Sequence, residues 1–544
     1  MHPTSMAAQY AASYPALGTR LSRARIRATW ARCTKAVPSW LGVAAVLLVA
    51  MALGLLTLLR TPAPNVDEAW NANRAWGMLQ TGHAFGTMDS GVFDRYDGYW
   101  TYFPWLGTAI HAVAIRAFGP SLTTIRLTSL LFGLVLLVET YVIARRLCGH
   151  RVGLVAIALL SCSTPFLYSS HLGRHDIMVA TFGFGAIALY LTERSSRYPV
   201  QSLIAGLLVG LAFEIHYNGM IYGPVLAALC LFDHGWSVFR ARRVWAAAAG
   251  VLLGLLYFAA MHVLPFPQTY LALAAMGPAP ARVPPFLVAD PHVWWESLVD
   301  LNTVLVTAAG GRIILMVGAL ISLWQTRSRS DRRFLALVGA LVLTFAAVIR
   351  HKLTFYDILL TPITDILAAS LVVAVFNQLR RTQWCHSWRS SSRAVAVGVL
   401  VLVAMAPDLR PLMAEPMRDY QLMIDRLHPL IPADSTVMGP QTYWSGLPPD
   451  QRYLSWEQLV YYRYVHPTST VEDAFRALRP DFLILDKKVG QFIAEDRAQL
   501  PLKVQHLHVP KDELDQVLDS HARLVQTIHT DITGVVRVYR MEWS

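Results

Sequence analysis

The chain has 544 residues, of which 54% are hydrophobic and 15% charged, with a net charge of +12. A soluble globular protein carries about a quarter charged residues, so this composition excludes an ordinary water-soluble enzyme and makes a lipid bilayer the expected solvent. The positive excess sits in short arginine-rich segments between apolar runs, as in loops facing anionic lipid, and does not speak for nucleic-acid binding.

In chain order, residues 1–37 read as a basic cytoplasmic tail (Arg20, Arg23, Arg25, Arg27, Arg32, Lys35). The apolar run from Trp40 to Leu59 is long enough to cross roughly 30 Å of hydrocarbon and exceeds a signal-peptide core, so an uncleaved first helix is expected. Further spans are expected at 123–145, 151–171, 176–192, 200–215, 217–234, 244–264, 303–325, 333–350, 356–377 and 394–407. The total is about eleven, thirteen at most, within a polytopic α-helical membrane domain over 38–407.

The segment 101–118 is short, carries Pro104, His111 and Arg116, and opens on interfacial aromatics (Tyr99, Trp100, Tyr102, Phe103, Trp105). If it lies at the surface without crossing, the basic loops around Arg145, Arg194, Arg240, Arg327 and Arg380 all fall on the cytoplasmic side. If it spans, they all invert. The positive-inside tendency therefore favours an interfacial or re-entrant helix.

This topology puts outside the membrane two long loops (60–122 and 265–302), a turn from Gly173 to Asp176, and everything beyond Pro407. Residues 408–544 alternate β-rich runs (Ser435–Met438, Phe482–Leu485, Arg523–Thr530, Val535–Arg540) with amphipathic stretches (Met417–Leu427, Val471–Leu478). The pattern predicts a soluble extracytoplasmic α/β domain. It shows no catalytic constellation, so its expected work is acceptor binding or bracing of the membrane domain. The five cysteines fall in cytoplasmic segments or within spans and offer no external disulfide framework. The sequence has no Walker loop and no dinucleotide fingerprint.

Ionisable residues beside membrane segments are the candidates for chemistry. Asp67 and Glu68 follow the first span and open an amphipathic stretch to about Gln80; their structural reading is as acids at a helix N-terminus. Arg174, His175 and Asp176 stand at the outer mouth of the third span and the start of the fourth, where Asp176 could equally be a helix cap. Arg350, His351 and Lys352, followed by Tyr356, place three cationic residues on the side where positive charge is disfavoured, and a bound anion would account for them. Carboxylates and cations around one outer cavity suit group transfer from a lipid phosphate. The acid would take the acceptor's proton while the cations hold the departing phosphate.

Asp-Glu after the first helix, Arg-x-Asp before the fourth span, and Lys-x-x-x-Tyr ending a later one together resemble the GT-C glycosyltransferases. The nearest resemblance is to the protein O-mannosyltransferase family (family 39) and the aminoarabinose transferase of lipid A. It runs over approximately 38–380 and is strongest over 60–192. It implies inverting transfer from a polyprenyl-phosphate sugar to a hydroxyl of a glycan, lipid or protein acceptor, in the inner (plasma) membrane. By it Asp67 is the base, Glu68 shapes the site, and Asp176 orients substrate or holds the first loop, with Arg174 beside it. Lys352 faces the donor phosphate, helped by Tyr356, His351 and Arg350.

One departure is visible. Relatives often carry Lys-Pro or Pro-Pro near the end of the first loop, where this chain has Phe103-Pro104, so a donor contact from there would fall to Arg95 or Arg74. Asp89, Asp94 and Asp97 read as solvated loop acids, and Glu214 and His216 as cavity-facing or mutually paired. Trp294 and Trp295 fit an interfacial anchor or a lid. No cofactor is expected beyond the lipid-linked donor, and no metal, since no Asp-x-Asp pair stands near Asp176. A lipid or solute transporter or flippase, or a non-catalytic assembly protein, are the rival readings.

Overall fold

The computed structural model describes residues 39–89, 104–193, 198–274, 284–309, 316–321, 323, 328–350, 352–381, 416–500, 507–531 and 534–543. Helix α1 (Ser39–Thr57) is apolar on every face and carries no charge. Helix α2 (Val66–Thr81) is capped by Asn65 and stopped by Gly82, whose φ of 81° is left-handed. The short α3 (Leu106–Phe118) is followed by α4 (Leu122–Leu147). Helices α5 (His150–Ser161) and α6 (Thr164–Ser170) meet at 63°, because Ser163 caps a new helix with Pro165 in its first turn.

Helix α7 (Asp176–Thr192) is followed by α8 (Val200–Ile215), α9 (Tyr222–His234) and α10 (Arg242–Phe258), the last running into a π-helical turn at Ala259–Val263. Then come α11 (Pro267–Ala274), α12 (Pro291–Ala309), α13 (Arg329–Val348) and α14 (Thr361–Arg381). Gly206 and Gly210 of α8 face Gly250 and Gly254 of α10 so closely that a Cβ on Gly210 would lie 2.7 Å from Gly254 Cα. Small residues at a four-residue repeat let two helices touch backbone to backbone in lipid.

Four helices among the described residues are long and apolar enough to cross a membrane: Trp40–Thr57, α4, Arg242–Val263 and Thr361–Gln378. The bent α5–α6 pair makes a possible fifth. Helices α7 and α8 are apolar but shorter, and the expected 217–234 span is a 3-10 turn (Tyr217–Ile221) followed by the 13-residue α9. Hydropathy joins apolar residues across such breaks, whereas caps and turns divide them. The expected span at 394–407 lies outside the described residues, as does much of 303–325. Helix α3 has 13 residues, about 20 Å of helix, which falls short of the hydrocarbon thickness. It packs against α2, α4 and α8.

The two ends of the bundle differ. At one, Arg243 donates from Nε to Glu193 at 2.8 Å and from Nη2 to Tyr190 O at 2.7 Å, Arg146 donates to Leu191 O at 3.1 Å, and Arg333 pairs with Asp233. The arginine-rich loops are thus tied to helix ends by internal partners. The opposite end carries Asp67, the 173–176 turn and the 350–356 link.

The C-terminal region follows the expected pattern. Helix α15 (Pro416–Leu427) buries Met417, Tyr420, Met423, Ile424 and Leu427 along one face. Strands β1 (Val437–Gly439), β2 (Tyr453–Ser455), β3 (Phe482–Leu485), β6 (Ala522–Thr530) and β7 (Gly534–Met541) form one mixed sheet in the order β2-β1-β3-β7-β6. The pairs β1–β2 and β1–β3 are parallel; β3–β7 and β6–β7 are antiparallel. A small parallel pair, β4 (Ile493–Ala494) and β5 (Val509–Pro510), lies apart, and α16 (Glu457–Val465), α17 (Val471–Leu478) and α18 (Lys511–His521) complete the region. Its core does not stop at its own boundary: Ala69, Ala72 and Ala75 of α2 share one apolar cluster with Tyr420, Ile424, Tyr443 and Trp444. The helix that carries Asp67 in its first turn is therefore clamped by the C-terminal domain.

Candidate active site

The site is built from the first turn of α2. Asn65 is extended and its Oδ1 accepts the Asp67 N–H at 2.9 Å, while the Glu68 carboxylate reaches back to the Asn65 N–H at 3.4 Å. This capping box turns two adjacent acids in different directions. The Glu68 side chain is fully buried, whereas that of Asp67 is 50% exposed.

Glu68 receives Arg126 of α4 through two bonds of 3.0 Å and the Gly173 N–H at 2.7 Å, while Arg126 also donates to Leu58 O at 2.9 Å. One buried ion pair thereby ties the end of α1, α2, α4 and the 173–176 turn together. Arg126 is a buried charge near the start of a long, mainly apolar helix, a signal that sequence reading passes over unless every intramembrane charge is assigned a partner.

Arg174 joins the first two motifs. Its Nε donates to Asp176 Oδ2 at 2.8 Å and its Nη1 meets Asp67. Its guanidinium lies 3.9 Å from the ring centroid of Phe355, which stacks on Tyr168 at 5.6 Å. Phe355 is three residues past Lys352 and adjoins Tyr356, so all three motifs converge on one end of the bundle. Asp176 is buried and bound to Arg174.

The cations of the third motif part company. Lys352, in the link between α13 and α14, is buried and turned toward α12, donating from Nζ to Ser297 Oγ and, at 2.7 Å, to Ile349 O. Burial pushes its ammonium down to about 8. Arg350 keeps a buried Nε with no hydrogen-bond partner among the described residues. The Tyr356 ring is 6.2 Å from that of His216. His351 lies outside the described residues, as do Asp94, Arg95 and Asp97.

Three secondary expectations change. Asp89 is not a solvated loop acid: it is buried, takes Arg74 through bonds of 3.0 and 3.1 Å, and accepts Trp70 Nε1–H at 2.7 Å. Arg74 is thereby committed, which removes it as a replacement for the missing loop lysine. Glu214 pairs with His262 at 2.7 Å and accepts the Trp105 N–H at 3.2 Å, not with His216. The π-helical turn brings His262 into line for that bond. Trp294 donates to Val288 O at 3.3 Å while Trp295 is 66% exposed, as an interfacial residue would be.

Beneath the first turn of α3, His175 stacks on His111 with ring centroids 5.8 Å apart, in a space that exists because position 107 is glycine. Burial lowers His175 well below its ordinary value and His111 to about 4, so both stay neutral. Among the described residues no three His, Cys, Asp or Glu side chains come together as a metal-binding set.

The family described as dolichyl-phosphate-mannose-protein mannosyltransferase matches residues 102–263. No curated protein matches the chain. Among solved structures, ArnT from Cupriavidus metallidurans bound to undecaprenyl phosphate superposes with a TM-score of 0.60 at 14% identity, covering 92% of this chain and 98% of that one. The oligosaccharyltransferase AglB from Archaeoglobus fulgidus, in complex with an inhibitory peptide and a dolichol-phosphate, gives 0.55 at 14% identity, covering 90% and 79%. The chain thus has the fold of the GT-C membrane glycosyltransferases, and it resembles their protein mannosyltransferase and ArnT branches.

Proposed function

We propose that the chain is an inverting membrane glycosyltransferase that takes a sugar from a polyprenyl-phosphate donor and passes it to an acceptor hydroxyl on the extracytoplasmic side. The observation that carries this reading is the position of Arg174, held between Asp67 and Asp176 and laid on Phe355, which brings the acidic and cationic motifs to one end of the bundle. Two structural neighbours are described with a polyprenyl phosphate bound, undecaprenyl phosphate in one and dolichol-phosphate in the other, which supports a lipid-phosphate donor.

In the reaction, the acceptor oxygen attacks the anomeric carbon from the face opposite the lipid phosphate. The new glycosidic bond forms as the carbon–oxygen bond to phosphate breaks, the hydroxyl proton passes to Asp67, and polyprenyl phosphate departs. Of the two adjacent acids only Asp67 is accessible, so it is the base, and Glu68 positions it from below. Asp176 fixes Arg174, which aims the Asp67 carboxylate. Arg350, whose Nε has no hydrogen-bond partner among the described residues, and Lys352 receive the phosphate, with Tyr356 and His351 proposed to assist. In this role Lys352 exchanges Ser297 for a phosphate oxygen. The reading places the N-terminus in the cytoplasm and the C-terminal domain outside, with no metal in the chemistry.

The test is incubation of purified protein with a panel of radiolabelled polyprenyl-phosphate sugars and candidate acceptors. One sugar is expected to be consumed by the wild type and spared by Asp67→Asn. Donor carried across a vesicle membrane without transfer, in both proteins alike, would instead identify a flippase.

A further inference from the structure

Where α1 leaves the bundle the chain forms a recess whose lining includes none of the residues proposed for transfer. It lies between Leu59 and Arg60, the start of α4 at Leu122 and Thr123, one side of α15, and Ser445–Gly446, and it is a partly open recess of about 640 Å³. That volume is within the range of about 300–1,000 Å³ found for small-molecule sites. The Met417 N–H donates to Arg60 O at 3.2 Å, so α15 is fixed to the chain just beyond α1.

The chemistry of the lining is one-sided. Arg60, Arg418 and His428 line it and no carboxylate does. Neither arginine has an ion-pair partner among the described residues. Beside them Leu59 and Leu422 remain 48% and 52% exposed. Guanidinium groups next to bare leucines, at the level where an apolar helix ends, complement a phosphate carrying hydrocarbon chains.

We propose that this recess holds an anionic membrane glycerophospholipid, its phosphate between Arg60 and Arg418 and its first acyl carbons along Leu59 and Leu422. A bound lipid pins α15 to α1, and because α15 shares a core with α2 it also steadies the helix that carries Asp67 in its first turn. The lipid is a fixed component of the fold, not a reactant, so the inference stands or falls separately from the transfer reaction.

The experiment uses full-length protein, delipidated in detergent and titrated with phosphatidylglycerol or with phosphatidylcholine of the same acyl chains. Retention is read by native mass spectrometry and melting by intrinsic fluorescence. Phosphatidylglycerol is expected to be retained and to raise the melting temperature, with phosphatidylcholine doing neither. The variant R60Q/R418Q should melt like the wild type without lipid and bind phosphatidylglycerol about ten-fold more weakly, while R60K/R418K keeps most of the affinity. Equal retention of the two lipids, or undiminished phosphatidylglycerol binding by R60Q/R418Q, overturns the proposal. Full protection by inorganic phosphate alone also overturns it, leaving an anion site without a lipid.

Discussion

Arg174 rests on the face of Phe355, its guanidinium carbon 3.9 Å from the ring centroid, while its nitrogens hold Asp67 and Asp176. A planar cation can do both at once, since its edge donates in a fork while its face stacks; a lysine ammonium cannot. Replacing Arg174 with Lys is therefore expected to lower transfer by at least about ten-fold, although charge is kept. Phe355→Leu should give a smaller loss. Steady-state rates with a saturating donor measure both, and full activity in the lysine variant would remove Arg174 from the aiming of Asp67.

Asp67 and Glu68 should separate by phenotype. Asp67→Asn is expected to reduce transfer by about 100-fold or more with little change in melting temperature, as for loss of a half-exposed general base. Glu68→Gln leaves the buried Arg126 without its counter-charge and should destabilise by about 3–5 kcal/mol, seen as a lower melting temperature and membrane yield. Pairing Glu68→Gln with Arg126→Met should recover part of that loss. Reversed phenotypes would exchange the roles of the two acids.

Lys352 predicts a pH effect of definite sign. Burial brings its folded-state value down to about 8, so its charge is present below that pH and lost above it. Donor KM should rise between pH 7 and 9 in the wild type and stay flat in Lys352→Arg, whose guanidinium does not titrate there. In the unfolded chain the lysine keeps its proton to about pH 10.4, so over the interval above 8 the unfolded state binds more protons and this group adds stability as pH rises. A fall in transfer over that interval is therefore not unfolding caused by Lys352.

The shared core predicts control of the site from a distance. Trp444 is buried where the C-terminal domain meets α2, and Trp444→Ala should cost about 3–5 kcal/mol locally. Hydrogen exchange in residues 66–81 should accelerate and transfer should fall, although Trp444 touches none of the proposed reacting groups. Unchanged exchange in α2 would show that the domain does not brace it.

The sequence determined on its own those features that are written locally. Continuous apolarity marked α1 and α4, adjacent acids marked the start of α2, and a short β-rich run marked Phe482–Leu485, found as β3 with the same bounds. The three charged motifs were legible too, because ionisable residues stand out against an apolar background. What each charge does was decided only in three dimensions. Glu68 found Arg126 across 58 residues, Glu214 chose His262 over its near neighbour His216, Arg74 went to Asp89, and Lys352 turned to Ser297. Any acid in a chain can pair with any base on paper. In the folded protein, burial makes an unmatched charge costly, and the packing of helices distant in sequence selects the partner that is within reach.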